Sequence, residues 1–321
     1  MTKPPAFHAD APLQFVINGA AGSHDVDARR ELIESALRAH GRRGELQVCR
    51  PASLPGVAQE AAHRARQSGT AVVAVGGDGT LNAVAQAAHA QGCAMGVVPL
   101  GTFNYFARTH GIPVDPGQAL ACLMQARPEP VQVAAVNDRL FLVNASLGLY
   151  PELLEDRESY KARFGRSRWV AIVSACATLL RARRRWHVHI EMAGQVRELQ
   201  ALTLFVGNNR LQLQQLGAEP EDTIDGTPGD GSMGALVLRP VGRLSMIALM
   251  FKGAVGRLGE AAGVERFEFQ HMQVRPTLPQ GIPGTKVAFD GEVATLSAPL
   301  NFRIHERPLY LLTAPRWEPQ P

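Results

Sequence analysis

The sequence predicts an α/β plus β protein, with an N-terminal doubly wound parallel α/β domain followed by a C-terminal antiparallel β-sandwich domain. Three observations predict it. From residue 13 to about 125, short β-branched runs alternate with segments of helical period. After about Glu129 the texture changes to alternating, strand-like stretches with turn signals. The chain has 321 residues, 45% hydrophobic and 19% charged, enough for two ordinary cores and unlike a disordered or fibrous composition.

In the first half, Leu13 to Ile17, Gly44 to Cys49, Ala71 to Val75 and Ala94 to Val98 are apolar runs of strand length. Between them Val26 to His40, Gly56 to Gln67 and Thr80 to Ala90 have helical period, the last with Leu81, Val84, Ala85 and Ala88 on one face. In the second half Val131 to Val136 and Leu140 to Ala145 read as a hairpin turning at Asn137-Asp138. His187 to Met192, Leu199 to Val206, Ala235 to Leu238 and Lys286 to Phe289 continue the strands. Two helical stretches interrupt them, about Arg166 to Arg185 and about Gly242 to Leu258. The domains are expected at 1–128 and 129–302, with 303–321 returning to the first.

Lys plus Arg exceeds Asp plus Glu by 33 − 29 = 4, which favours anionic partners without pointing to nucleic acid. Four scattered cysteines, with no Cys-x-x-Cys pair, suggest neither a disulfide framework nor a zinc knuckle and fit a reducing cytosol. No secretory signal is seen, and the longest apolar run, Trp169 to Leu180, is twelve residues where a membrane-spanning helix needs about 20. A cytoplasmic protein is expected.

The strongest local signal is Gly76-Gly77-Asp78-Gly79-Thr80, directly after one strand and directly before a helix. Its glycines let the backbone approach a ligand, Thr80 can cap the helix, and the helix N-terminus attracts phosphate. Asp78 beside a polyphosphate is repulsive unless a divalent cation lies between them, so the motif implies a magnesium-bound nucleotide. Asn18-Gly19-Ala20-Ala21-Gly22-Ser23 and Pro99-Leu100-Gly101-Thr102-Phe103-Asn104 follow two other strands, and ligands of open α/β sheets bind outside these carboxyl ends.

Competing motifs fail. None of the four lysines follows a glycine, so no Walker A loop exists. Gly229-x-Gly231-x-x-Gly234 has no strand before it and no helix after it, and neither Gly-x-Ser-x-Gly nor His-Glu-x-x-His occurs.

With Leu81-Asn82, the Pro99 to Ala107 segment, Ser146-Leu147-Gly148 and Asp290-Gly291-Glu292, the glycine-aspartate motif resembles the diacylglycerol kinase catalytic family. That family includes bacterial soluble lipid kinases and sphingosine kinases, with NAD kinases as distant relatives. The resemblance covers roughly residues 13 to 312. It implies ATP- and magnesium-dependent phosphorylation of a hydroxyl of diacylglycerol or a related lipid, in a cleft between the two domains. Nucleotide contacts are implied at Asn18, Gly76, Gly77, Asp78, Gly79, Thr80, Leu81, Asn82, Gly101, Thr102 and Asn104. The implied catalytic residues are Asp78 and, as general base, Asp290 or Glu292. Metal sites fall on Asp78 and, in the second domain, near Asp230. Tyr105 stands where the family often has aspartate, which removes a carboxylate from the magnesium network.

The window Arg157 to Arg185 holds nine basic residues against the single acid Glu158, around the apolar run Trp169 to Leu180. Basic ends flanking an apolar helix suit an anionic membrane surface, so peripheral binding is expected there. Leu244 to Val255 reads as core or as acyl-pocket lining. A homodimer stays open, as do two rival functions: a kinase of a soluble substrate in the NAD kinase superfamily, and a non-catalytic nucleotide or lipid binder.

Overall fold

A computed structural model describes residues 4–19, 23–148, 186–192, 194–208, 231–240, 263–277 and 284–314. The chain divides into two compact units, residues 1–133 with 306–321, and 134–305.

The first unit runs β1 (Leu13–Asn18), α1 (Ser23–Ala39), β2 (Gly44–Cys49), α2 (Leu54–Gln67), β3 (Ala71–Gly76), α3 (Asp78–Gln91), β4 (Ala94–Pro99), α4 (Tyr105–Thr109), α5 (Pro116–Gln125) and β5 (Arg127–Val131). β3 and β4 are buried at every residue, which is why they read as unbroken apolar runs, whereas the edge strand β2 carries exposed Glu45 and Val48. Helix α2 buries an alanine stripe, Ala58, Ala61, Ala62 and Ala65, and α3 buries Leu81, Val84, Ala85 and Ala88. α5 starts at a capping Asp115 whose Oδ1 accepts from the Gln118 amide at 2.9 Å, with Pro116 at the first helical position.

The second unit begins with the short hairpin β6 (Ala134–Val136) and β7 (Arg139–Phe141), followed by β8 (Asn144–Gly148), β9 (Trp186–Met192), β10 (Gln195–Ala201), β11 (Thr203–Gly207) and β12 (Met233–Leu238). It continues through β13 (Val264–Phe269), β14 (His271–Pro276), β15 (Thr285–Phe289), β16 (Glu292–Leu296) and β17 (Leu300–Ile304). One sheet has the order β10-β9-β14-β17-β6-β7 and the other β13-β12-β11-β8-β15-β16, with every pairing antiparallel. Val136, Phe141, Ile190 and Phe302 of the first share one core with Leu147, Val206, Phe267 and Phe289 of the second, which makes the pair a sandwich. The fold is therefore α/β plus antiparallel β. Leu199 to Val206 is not one strand: β10 and β11 belong to opposite sheets, and the chain switches at Leu202, whose amide bonds the Leu238 carbonyl at 2.8 Å. The expected helices Arg166 to Arg185 and Gly242 to Leu258 lie outside the described residues.

The chain then returns as β18 (Leu309–Thr313), giving the first sheet the order β2-β1-β3-β4-β18-β5, parallel except for β5. β5 carries Pro128 and Pro130, which an edge strand tolerates. The order reverses between β1 and β3, whose neighbours β2 and β4 lie on opposite sides. The crevice at their carboxyl ends is the expected ligand position of such a sheet.

His110, just past α4, sets its ring edge on Phe106 at 4.6 Å between centroids. Burial pulls its pKa down to about 4. A group with a lowered folded pKa contributes its full stability above the unfolded value near 6.5 and loses it as pH falls toward 4. At pH 5 this amounts to about 2 kcal/mol. Thermal melts of the wild type and His110→Leu at pH 7 and pH 5 should show a smaller acid-induced drop in Tm in the variant. Equal drops would contradict the buried, neutral imidazole.

Candidate functional site

Strand register brings three loops level. Asn18 pairs with Cys49, Ile17 with Val75 and Gly76 with Pro99, so β1, β3 and β4 end side by side. The Asn18 side-chain amide donates to Thr80 Oγ1 at 3.0 Å, tying the first loop to the second. The Leu100 amide donates to the Gly76 carbonyl at 2.8 Å, tying the third. Gly101 packs on the same loop: a Cβ there would lie 3.0 Å from Gly77 Cα and 2.7 Å from Asn104 Oδ1. Asn104 takes the left-handed conformation (φ 51°), is buried, and clamps Gly101 with its side chain through 2.9 Å bonds to both the amide and the carbonyl.

Helix α3 begins at Asp78 with Gly77 as its N-cap residue, so Thr80 does not cap it; Thr80 lies in the first turn, buried, with its hydroxyl turned to Asn18. The helix therefore points its free amides at the loop, an anion-attracting end. The Asp78 carboxyl accepts from the Asn104 amide, but Oδ1 is buried with no hydrogen-bond partner. Desolvation raises the Asp78 pKa and the Asn104 amide partly offsets it. A buried, partnerless carboxylate oxygen fits a divalent cation, which would replace the lost solvation. No group of three His, Cys, Asp or Glu side chains placed to hold a metal exists among the described residues.

Leu81 and Asn82 turn inward. Leu81 is buried, and Asn82 accepts from Gln86 at 3.1 Å, so their share in a ligand site is through backbone and helix placement. Arg29, on the second turn of α1, was not singled out from the sequence. Its guanidinium donates to the Asn18 carbonyl at 3.3 Å and adds a positive charge beside the loops.

In the second unit Asp290 and Gly291 form the two-residue turn between β15 and β16, with φ 47° and 88°. Asp290 is buried, and its carboxylate accepts from three consecutive amides, Leu142 at 2.7 Å, Val143 at 2.9 Å and Asn144 at 3.0 Å. Leu142 and Val143 carry the chain from one sheet to the other, where no strand ladder receives their backbone groups. Asp290 takes the amides, and buried Asn208 donates to the two carbonyls at 2.9 Å each. Glu292 is exposed at its surface yet close enough to protein bulk that desolvation raises its pKa, with Arg139 opposing. Gly148 of the Ser146-Leu147-Gly148 stretch has φ 94°, and a Cβ there would collide with the Leu202 carbonyl, so this glycine serves strand packing. Asp230 lies outside the described residues.

A cavity of about 700 Å³ opens at the opposite ends of β3 and β4, lined by Arg66, His89, Cys93, Arg307 and Tyr310 among others. The carboxyl end of α3 points into it, with Arg307 donating to the His89 carbonyl, and burial pushes the Cys93 thiol up to about 12. Neither feature attracts phosphate or activates a nucleophile.

Residues 12–136 match the diacylglycerol kinase catalytic domain. That match runs through most of the N-terminal unit. A Pseudomonas aeruginosa (strain UCBPP-PA14) protein named "Probable lipid kinase YegS-like" is 40% identical over 128 residues, 39% of this chain and 42% of that protein. A Serratia proteamaculans protein of the same name is 34% identical over 166 residues, 49% of this chain and 52% of that one. The matched stretches thus span about half the length of these relatives or less. A diacylglycerol kinase crystal structure from Bacillus anthracis str. Sterne shares the fold, with a TM-score of 0.69 at 22% identity over 95% of this chain and 97% of that one. Within the matched stretch of this chain, Asp78 is the only acid between Glu60 and Asp115. No helix among the described residues is long and apolar enough to cross a membrane.

Proposed function

We propose that the protein is an ATP- and magnesium-dependent lipid kinase that phosphorylates a hydroxyl of diacylglycerol or a related lipid. The observation that carries this is the buried, partnerless Asp78 oxygen at the amino end of α3, on a glycine loop that two neighbouring loops brace. Phosphate binds the amides of Gly77 to Thr80, with Arg29 adding positive charge, and Asn18 and Thr102 lie at the rim. Asp78 is the residue that would hold magnesium; a divalent cation there supplies charge neutralisation for phosphoryl transfer.

Glu292 takes the proton of the attacking hydroxyl. Its raised pKa brings it closer to neutrality, where a carboxylate base works better. Asp290, already engaged by three amides, positions the turn that carries Glu292. Peripheral membrane association through Arg157 to Arg185 fits this reading on charge and apolar composition alone.

The test is ATP turnover by the purified protein with diacylglycerol vesicles, with NAD, and with neither. Magnesium-dependent turnover stimulated by the vesicles is expected. Stimulation by NAD would point to a soluble substrate, and no turnover in any arm would point to a binding protein.

A further inference from the structure

The loop that buttresses Gly77 also carries a pair of stacked aromatic rings. Asn104 is buried and held by its own clamp on Gly101, and the residues on either side of it, Phe103 and Tyr105, both point outward. Their rings stack at 5.4 Å between centroids, 2° from parallel, and remain 46% and 39% exposed. Among the described residues they are the only aromatics among the exposed large hydrophobics. Water-exposed aromatic faces are unfavourable in isolation, and here each ring already packs on the other, which reduces the side-chain freedom left to lose on binding.

Arg108, one helical turn on, is exposed and donates from Nε to the Phe103 carbonyl at 3.1 Å, which ties its guanidinium to the backbone of the ring-bearing loop. From Gly79 through Val114 there is no Asp or Glu at all. The patch therefore combines two rigid aromatics, one of them with a hydroxyl, and a fixed cation with no neighbouring acid in sequence. That is the chemistry of the lipid–water interface, where Tyr and other aromatics lie at headgroup depth and guanidinium pairs with anionic headgroups.

We infer that Phe103, Tyr105 and Arg108 form a membrane-docking tip that holds the phosphate-loop end of the first unit against an anionic lipid surface. Its purpose rests on the lipid kinase reading, because a substrate with two acyl chains stays in the bilayer. The docking itself needs neither ATP nor diacylglycerol. It is also distinct from attraction through Arg157 to Arg185, since aromatic insertion persists when salt screens charge.

The test is sedimentation with phosphatidylcholine vesicles, with and without phosphatidylglycerol, in the absence of ATP, at low and high salt. The proteins compared are the wild type, the double variant Phe103→Ser with Tyr105→Ser, and Arg108→Gln, alongside titration of a fluorescent ATP analogue. The double variant should lose the salt-resistant part of binding, with partition at least about ten-fold weaker, and should keep its nucleotide affinity. Arg108→Gln should weaken binding only to phosphatidylglycerol vesicles at low salt. Unchanged partition of the double variant would overturn the inference. So would a ten-fold loss of nucleotide affinity at unchanged partition, which would assign the rings to the base of the nucleotide. If the double variant does not melt cooperatively, Tyr105→Ser alone decides, by the same partition measurement. Because no arm uses phosphoryl transfer, failure of the kinase reading would leave these results standing, and the reverse holds too.

Discussion

Asp78→Asn is expected to lower turnover at least about 100-fold, a loss of some 3 kcal/mol in transition-state stabilisation, while raising the Tm of the metal-free protein. Both effects come from one atom. Asp78 Oδ1 is buried without a partner, and desolvation raises the pKa of the carboxyl. A carboxylate with a raised folded pKa costs stability whenever pH lies above its unfolded value, and protonating or neutralising it restores that stability. The amide removes the buried charge, so the fold gains at neutral pH and the site loses its cation ligand. Calorimetry and steady-state kinetics on the same preparation check the pair of outcomes. A variant that is less stable and fully active would place the charge in a structural role.

The second large effect separates Asp290 from Glu292. Asp290→Asn presents a donor to amides that need acceptors, leaving at least one of the Leu142, Val143 and Asn144 N–H groups unsatisfied, and should cost about 2–3 kcal/mol of stability. Glu292→Gln touches no such network. By the linkage that applies to Asp78 it should leave the fold no less stable, and it should lower kcat at least about 100-fold, the lower end of a general base's usual contribution. In the wild type the acid limb of kcat/KM should fall above the ordinary carboxylate pKa, because desolvation raises that of Glu292, and this limb should disappear in Glu292→Gln. An active Glu292→Gln beside a stable, inactive Asp290→Asn would reverse the two roles.

The central strands were legible because burial on both faces leaves unbroken apolar runs, as in β3 and β4, and α3 was legible through its Leu81, Val84, Ala85 and Ala88 stripe. Its start was displaced because Gly-Asp-Gly reads locally as loop, although Asp78 already lies in the first turn. The switch at Leu202 was hidden because both flanking strands have strand-forming residues, and only the sandwich decides which sheet each joins. β18, between β4 and β5, depends on contacts across most of the chain. At the site, the three loops could be found from strand ends, but not the contacts between them. Asn18 meets Thr80 across 62 positions, and Asp290 meets Val143 across 147. The accepting role of Asp290 exists only because a sheet-switching segment distant in sequence has amides to satisfy.

The most direct measurement follows the γ-phosphate itself. The purified protein is incubated with γ-labelled ATP and a total lipid extract, with and without magnesium, and the organic phase is separated and its labelled species identified. Label should enter a lipid bearing a free hydroxyl, only with magnesium, and should fall at least about 100-fold with Asp78→Asn. Absence of label from every lipid while ATP is bound, or labelling that persists undiminished in Asp78→Asn, would contradict a lipid kinase built on this loop.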